Sequence, residues 1–125
     1  MSVSPCGPIA RHRIWSHSGG TIPFLTSRFV RLAFERKDPR MPMPAGPMPI
    51  LEKYYYEVAQ GNTPGQLAAL TKMVSVSQIL FGSDYPYREA KEAVDGLIDY
   101  RFPSADLRAI NYENAVRLMP KYKSA

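Results

Sequence analysis

The chain has 125 residues, with 16 basic and 11 acidic side chains and a formal net charge of +5. This length suits one compact domain with its own core, and the single cysteine, Cys6, excludes a disulfide framework and a cysteine-based zinc module. No apolar run approaches the roughly 18 residues of a membrane span, and no secretory signal pattern opens the chain. We therefore expect one cytoplasmic domain over residues 1–125, with residues 1–9 as an N-terminal extension.

The positive charge is concentrated near the N-terminus. Residues 1–40 hold seven basic and two acidic side chains, whereas the rest of the chain is neutral. One interpretation is a small basic domain that binds anionic partners through residues 11–40. The other is a solvated helix face, because Arg28, Arg31 and Glu35 follow helical spacing. Without interleaved aromatic residues or a known nucleic-acid motif, we expect no binding to nucleic acid.

The N-terminal third predicts a strand, a glycine turn and a helix. Residues 13–17 alternate polar and apolar side chains as a short strand does, and Gly19–Gly20 permit a tight turn. Thr21 can cap a helix that has Pro23 in its first turn and ends before Pro39. The predicted inward stripe of this helix consists of Phe24, Leu25, Phe29, Leu32 and Ala33.

Residues 38–50 contain five prolines and three methionines. So many fixed φ angles and missing N–H donors predict an extended surface loop without regular helix. A loop of this length is either functional or a simple tether, and its methionines could cover an apolar surface.

The remainder of the chain predicts two more strands and three more helices. Strands are predicted over residues 54–59 and 77–81, and helices over 66–73, 88–100 and from a cap at Ser104 onward. The order β-α-β-α-β-α-α indicates an α/β fold with a parallel sheet, and three strands are a natural number for part of a barrel. The predicted inward side chains are Leu67 and Leu70, then Ala90, Val94, Leu97 and Ile98, then Leu107, Ile110, Ala115 and Leu118.

Two polar residues follow strands at the positions where parallel α/β folds carry chemistry. His17 ends the first strand, where an imidazole can polarise a carbonyl or move a proton. Asp84 follows the third strand, where a carboxylate can bind a metal ion or accept a proton from metal-bound water. The alternatives are a structural histidine and a turn-capping aspartate. Tyr85 and Tyr87 would line the site mouth, or else belong to the core or the rim.

The sequence around these two residues resembles the amidohydrolase-related family. This branch of metal-dependent barrels includes aminocarboxymuconate-semialdehyde decarboxylase and the aromatic-acid decarboxylases. The resemblance rests on Ser16–Phe24 and Ile79–Pro86, and it extends to Tyr55–Ala59, similar to the family's seventh strand, and to Asn114–Leu118. It implies that the chain is the C-terminal part, about strands six to eight, of a (β/α)8 barrel that takes roughly 250 residues.

The resemblance also implies site roles. His17 matches a sixth-strand histidine that contacts substrate or metal-bound water, and Asp84 matches an eighth-strand aspartate that binds metal and transfers protons. Arg28 matches an arginine that binds the substrate carboxylate, with a surface helix residue as the alternative. The implied cofactor is a divalent metal, zinc or manganese. The implied reaction is hydrolysis or, by preference, non-oxidative decarboxylation of a small aromatic carboxylate.

The chain departs from the family in its metal ligands. It has no His-x-His pair, His12 precedes a strand instead of ending one, and Cys6 has no motif support as a ligand. His17 and Asp84 supply at most two of the about three ligands that a catalytic zinc needs. We therefore expect weak metal binding by the isolated chain. The alternative function is an inactive remnant that acts as a binding or interaction protein or has no function. Open sheet edges predict self-association or complementation by the missing barrel strands.

Overall fold

A computed structural model describes residues 13–40 and 42–123. Three short strands form one parallel sheet in the order β1-β2-β3. They are β1 (Ile14–Trp15), β2 (Tyr55–Glu57) and β3 (Ile79–Leu80). Trp15 pairs with Tyr56, and Tyr56 pairs with Ile79 on its other side. The parallel order is as predicted, but the strands are shorter because only two or three residues of each form a ladder.

Helical segments follow each strand. In chain order they are α1 (Ile22–Arg36), α2 (Met48–Leu51), α3 (Pro64–Met73), α4 (Ala90–Asp99), α5 (Ser104–Arg108) and α6 (Asn114–Leu118). A π-helical segment, Ala109–Glu113, joins α5 to α6, and 3-10 turns occupy Val76–Gln78 and Pro120–Tyr122. His17–Gly19 forms a turn with positive φ angles. Within the described ranges, no helix is long and apolar enough to cross a membrane.

The core lies between the sheet and the helices that follow β2 and β3. Leu67 and Leu70 of α3 are fully buried, as predicted. The π-helical segment closes the core beside β3, where the carbonyl of Ile110 accepts the backbone N–H of Phe81 at 3.0 Å. Other members of this core are Tyr56, Val58, Met73, Val74, Ile79, Leu97 and Phe102.

One buried polar side chain attaches the C-terminal helices to the sheet. Asn114 is fully buried, and its side-chain amide donates to the carbonyls of Val76 and Ile79, each at 2.8 Å. These bonds satisfy the buried carbonyl of Ile79 and bind the partly buried carbonyl of Val76 at the start of β3. The Asn114–Leu118 segment therefore has a structural role at the start of the third strand.

The predicted apolar stripe of α1 does not become part of the core. No residue of α1 is buried, Phe24 is 83% exposed, and Phe29 and Phe34 are also exposed. The prediction was wrong for Phe24 and Phe29, whereas Leu25, Leu32 and Ala33 are partly buried. Among the described elements, α3 packs against α1 on one side, so the rest of the stripe faces outward.

Two further helix predictions need correction. In α4 Leu97 is buried as predicted, together with Ala93, whereas Ala90, Val94 and Ile98 are exposed, because the face that meets the core is rotated from the predicted one. A one-turn helix, α2, also begins inside the segment that was predicted to lack helix. Proline is tolerated there because the first helical turn needs no N–H donor.

The helix starts are close to their predicted positions, with different capping. Thr21 directly precedes α1, but its side chain makes no capping hydrogen bond. Ser104 is the first residue of α5, and Pro103 occupies the cap position. The glycine turn is as predicted: Gly19 and Gly20 have φ angles of 79° and 58°, which residues with a side chain rarely adopt.

Candidate functional site

The carboxyl ends of the three strands bring polar side chains to one edge of the sheet. His17 lies two residues after β1, Glu57 is the last residue of β2, and Asp84 lies four residues after β3. Because the strands are parallel, these three residues share the edge at which α/β folds place their sites. We call His17, Glu57 and Asp84, with the intervening Ala59 and Gln60, the rim.

Glu57 connects the end of β1 to the end of β2. Its Oε1 accepts the backbone N–H of His17 at 2.7 Å, and its Oε2 accepts the backbone N–H of Ala59 at 2.7 Å. The Nδ1 atom of His17 lies 3.0 Å from the carbonyl oxygen of Ala59 and 3.6 Å from Oε1 of Glu57. The side chain of Glu57 is 19% exposed and that of His17 is 47% exposed. A mostly buried carboxylate therefore lies next to a half-exposed imidazole.

The backbone at His17 adopts an uncommon conformation. His17 and Ser18 both have φ angles of 54°, a left-handed region that non-glycine residues seldom occupy. Ser18 is buried, and its hydroxyl donates to the carbonyl of Gly61 at 2.7 Å. The hydrogen bonds from Ser18 and to Glu57 hold this turn against the loop that follows β2.

Asp84 is attached to the same loop from the other side. The side-chain amide of Gln60 donates to Oδ2 of Asp84, and the backbone carbonyl of Asp84 accepts the N–H of Tyr87 at 2.9 Å. Asp84 and Gln60 have φ angles of 61° and 49°. His17 contacts Ala59, and Asp84 contacts Gln60, so the structure joins the two predicted site residues through adjacent positions of one loop.

The other predicted site residues lie away from this network. Arg28 is exposed in the second turn of α1, and no hydrogen bond or ion pair between described residues joins it to the rim. Tyr85 and Tyr87 are 81% and 82% exposed beside Asp84, so they belong to the surface around the rim and not to the core. Cys6 and His12 lie outside the residues that the structure describes.

Comparison with known proteins relates this arrangement to decarboxylases. No protein-family model matches the chain. It is 28% identical to 6-methylsalicylic acid decarboxylase of Penicillium expansum, over 88% of this chain and 35% of that protein. It is 29% identical to 6-methylsalicylic acid decarboxylase of Aspergillus aculeatus, over 100% of this chain and 42% of that protein. The chain thus spans less than half the length of these curated relatives.

Solved structures share the fold. A dihydroxybenzoic acid decarboxylase from Polaromonas, with bound manganese and 2-nitroresorcinol, superposes with a TM-score of 0.77 and 21% identity, over 90% of this chain and 35% of that chain. An amidohydrolase from Staphylococcus aureus superposes with a TM-score of 0.72 and 23% identity, over 87% and 34%. The chain is therefore similar in sequence to curated decarboxylases and shares its fold with part of these solved structures. Its parallel sheet and helices match about a third of each of the two solved chains.

The similarity to these decarboxylases confirms the resemblance drawn from Ser16–Phe24 and Ile79–Pro86, but the motifs that carry it did not point to Glu57. The segment after β3 passes very close to the carboxylate of Glu57. A Cβ atom on Gly82 would lie 1.9 Å from Oε2 of Glu57 and 2.9 Å from its Cδ. The glycine of this family string therefore leaves space for the carboxylate. The sequence did contain a signal for Glu57: it is a polar residue at the end of β2, and polar residues also follow β1 and β3 on either side.

The described part of the chain does not by itself fit the family's metal. Residues 13–40 and 42–123 contain no group of three His, Cys, Asp or Glu side chains that could hold a metal ion. Both oxygens of Glu57 accept backbone N–H groups, and Oδ2 of Asp84 accepts the amide of Gln60. A catalytic site usually needs about three protein ligands. Further ligands would have to come from outside these residues.

Proposed function

We propose that this chain corresponds to strands six to eight of a decarboxylase barrel. We further propose that its rim takes part in the non-oxidative decarboxylation of a small aromatic carboxylate. One observation carries the proposal: His17 and Asp84 occupy the carboxyl edge of a parallel sheet and are joined through Ala59 and Gln60. In (β/α)8 enzymes the active site forms at this face of the barrel. The two decarboxylases among the relatives support the substrate class.

The reaction needs a proton at the carbon that loses carbon dioxide. The bond between the ring carbon and the carboxylate breaks, and its electron pair remains on the ring carbon and takes up a proton. In this proposal Asp84 transfers that proton as a general acid–base group, and His17 hydrogen-bonds to the substrate or to water. A carboxylate-binding role for Arg28 stays a prediction that the exposed position of this side chain does not support.

The proposed cofactor of the complete site is a divalent metal. Manganese accompanies the Polaromonas decarboxylase, which supports a divalent metal as the cofactor of the complete site, and zinc stays a prediction. Asp84 is the residue of this chain that we propose as a ligand. A second candidate function, a binding protein without catalysis, is favoured by the absence of a three-ligand group among the described residues.

A chimeric enzyme tests the proposal. The segment of the Penicillium expansum decarboxylase that aligns with this chain is replaced by this chain, and release of carbon dioxide from 6-methylsalicylate is measured with manganese present. We expect measurable activity, and we expect Asp84→Asn to lower it by about 10²–10⁴-fold, the usual contribution of a positioned acid–base group.

Glu52 is exposed, so Glu52→Gln serves as the matched control, and we expect its activity to be unchanged. A chimera that folds and binds manganese but releases no carbon dioxide would contradict the decarboxylase proposal and favour the binding function. An Asp84→Asn chimera with full activity would contradict the role of Asp84.

A further inference from the structure

The surroundings of His17 determine which ring nitrogen carries a proton. Nδ1 lies 3.0 Å from the carbonyl oxygen of Ala59, and a carbonyl oxygen can only accept a hydrogen bond. Nδ1 must therefore be the donor. In a neutral imidazole this leaves Nε2 without a proton, as the acceptor of the ring.

The carboxylate of Glu57 favours the same tautomer. Its Oε1 lies 3.6 Å from Nδ1, so its negative charge stabilises a proton on this nitrogen and not a lone pair. The same oxygen accepts the backbone N–H of His17, which places the ring and its main chain against one anion. A carboxylate or carbonyl behind a functional histidine is a common way to fix its tautomer and its orientation.

Glu57 is itself held in place from three sides. Its Oε2 accepts the N–H of Ala59, its Oε1 accepts the N–H of His17, and Gly82 lies too close to the carboxylate to carry a side chain. The side chain is 19% exposed, so solvent competes little for these bonds. Hydrogen bonds to an ionised acceptor are about twice as strong as neutral ones. The carboxylate is thus a fixed support for whatever it contacts.

We propose that Glu57 is a positioning residue that, together with the carbonyl of Ala59, holds His17 as the Nδ1–H tautomer and so presents Nε2 as a hydrogen-bond acceptor. The use of this acceptor rests on the proposed function: it would take a hydrogen bond from a hydroxyl group of the substrate or from water. The tautomer is a property of the chain itself and can be measured without any activity.

The first experiment measures the tautomer in the full chain. The protein is labelled with nitrogen-15, and long-range proton–nitrogen correlations of the imidazole rings are recorded at a pH where both rings are neutral. The His12→Gln variant assigns the two histidines. We expect a protonated-type signal for Nδ1 of His17 and an unprotonated-type signal for Nε2, the reverse of the tautomer that free histidine prefers. A protonated Nε2 in the wild-type chain overturns the proposal.

Two variants then test whether Glu57 is responsible. Glu57→Gln keeps the shape but replaces one acceptor oxygen with an NH₂ group, and Gly82→Ala pushes a methyl group against the carboxylate. We expect both to shift His17 toward the Nε2–H tautomer. In Glu57→Gln we expect the amide of His17 or Ala59 to exchange about tenfold faster, since a charge-assisted bond is lost. Glu52→Gln, at the exposed residue that follows α2, should change neither the tautomer of His17 nor the exchange of these amides.

The outcomes separate this proposal from the proposed function. Unchanged tautomer and amide exchange in Glu57→Gln would show that Glu57 does not position His17, whatever the chimera does. If the tautomer shifts while the chimera is inactive, the positioning role stands and the decarboxylase proposal fails. In an active chimera, we expect Glu57→Gln to lower kcat at least tenfold with KM little changed. Loss confined to KM would overturn the assignment.

Discussion

The two halves of the chain carry similar apolar patterns but bury them very differently. From β2 through α6, each strand and most helices contribute fully buried side chains, including Tyr56, Leu70 and Ile110. From α1 to α2 no helical residue is buried, and three phenylalanines of α1 are exposed. An apolar stripe on a helix is therefore a necessary condition for burial and not a sufficient one.

The difference follows from what each helix meets. α3 packs against α1 and against the turn after β1, and its buried side chains Leu67, Leu70 and Met73 belong to the core. α1 contacts α3 and the turn after β1, and beyond its end a groove of about 460 Å³ is lined by Phe34, Pro42 and Met43. The helices after β2 and β3 therefore contribute side chains to the core, whereas α1 leaves its three phenylalanines exposed.

The largest expected effect is in the buried half. Leu70→Ala removes a fully buried side chain and leaves a cavity, so we expect it to lower the free energy of unfolding by about 2–5 kcal/mol. Phe24→Ala, on the exposed face of α1, should change it by less than about 0.5 kcal/mol. Urea titrations of both variants measure the two values. Equal losses of unfolding free energy in the two variants would show that the two regions do not differ in their contribution to stability.

A smaller effect is expected where the helices are attached to β3. Asn114→Ala removes the side-chain donor to the buried carbonyl of Ile79 and one of the two donors to the carbonyl of Val76, which should cost about 1–3 kcal/mol of stability. Asn111→Ala changes an exposed amide in the preceding turn and serves as the control. Thermal unfolding compares the two. If both variants have the same midpoint of thermal unfolding, the buried amide of Asn114 does not contribute to stability as the structure indicates.

The smallest effect concerns alkaline pH. Burial, with a lesser contribution from Tyr54, raises the pKa of Tyr56 to about 12 from the ordinary 10.0, and the Tyr56 hydroxyl donates to the carbonyl of Leu51 at 2.9 Å. Below pH 10 both folded and unfolded chains keep this proton. Between pH 10 and about 12 the unfolded chain ionises first, so the free energy of unfolding falls as pH rises.

Tyr56→Phe removes this contribution and should flatten the decline between pH 10 and about 12. Tyr122→Phe, at an exposed position, should retain the wild-type slope. Unfolding in urea at several alkaline pH values provides the slopes. Identical slopes for wild type and Tyr56→Phe would show that ionisation of this buried tyrosine does not contribute to the loss of stability at alkaline pH.

Local sequence was sufficient for the order and direction of the elements. The alternation of strands and helices predicted a parallel sheet, and Gly19–Gly20 predicted the turn after β1. The same reasoning placed His17 and Asp84 at strand ends, because parallel strands end at a common edge. These features depend on side-chain period and on turn chemistry within a few residues, which a sequence displays directly.

Tertiary structure alone decided the role of Glu57 and the burial of the helices. Glu57 contacts the backbone of His17 across a separation of 40 residues, and Gly82, two residues after β3, leaves the space for its carboxylate. The faces of α1 and α4 that meet the core also depend on which elements pack beside them. Such contacts join distant parts of the chain, so no local pattern records them, and they exist only once the three strand ends lie together.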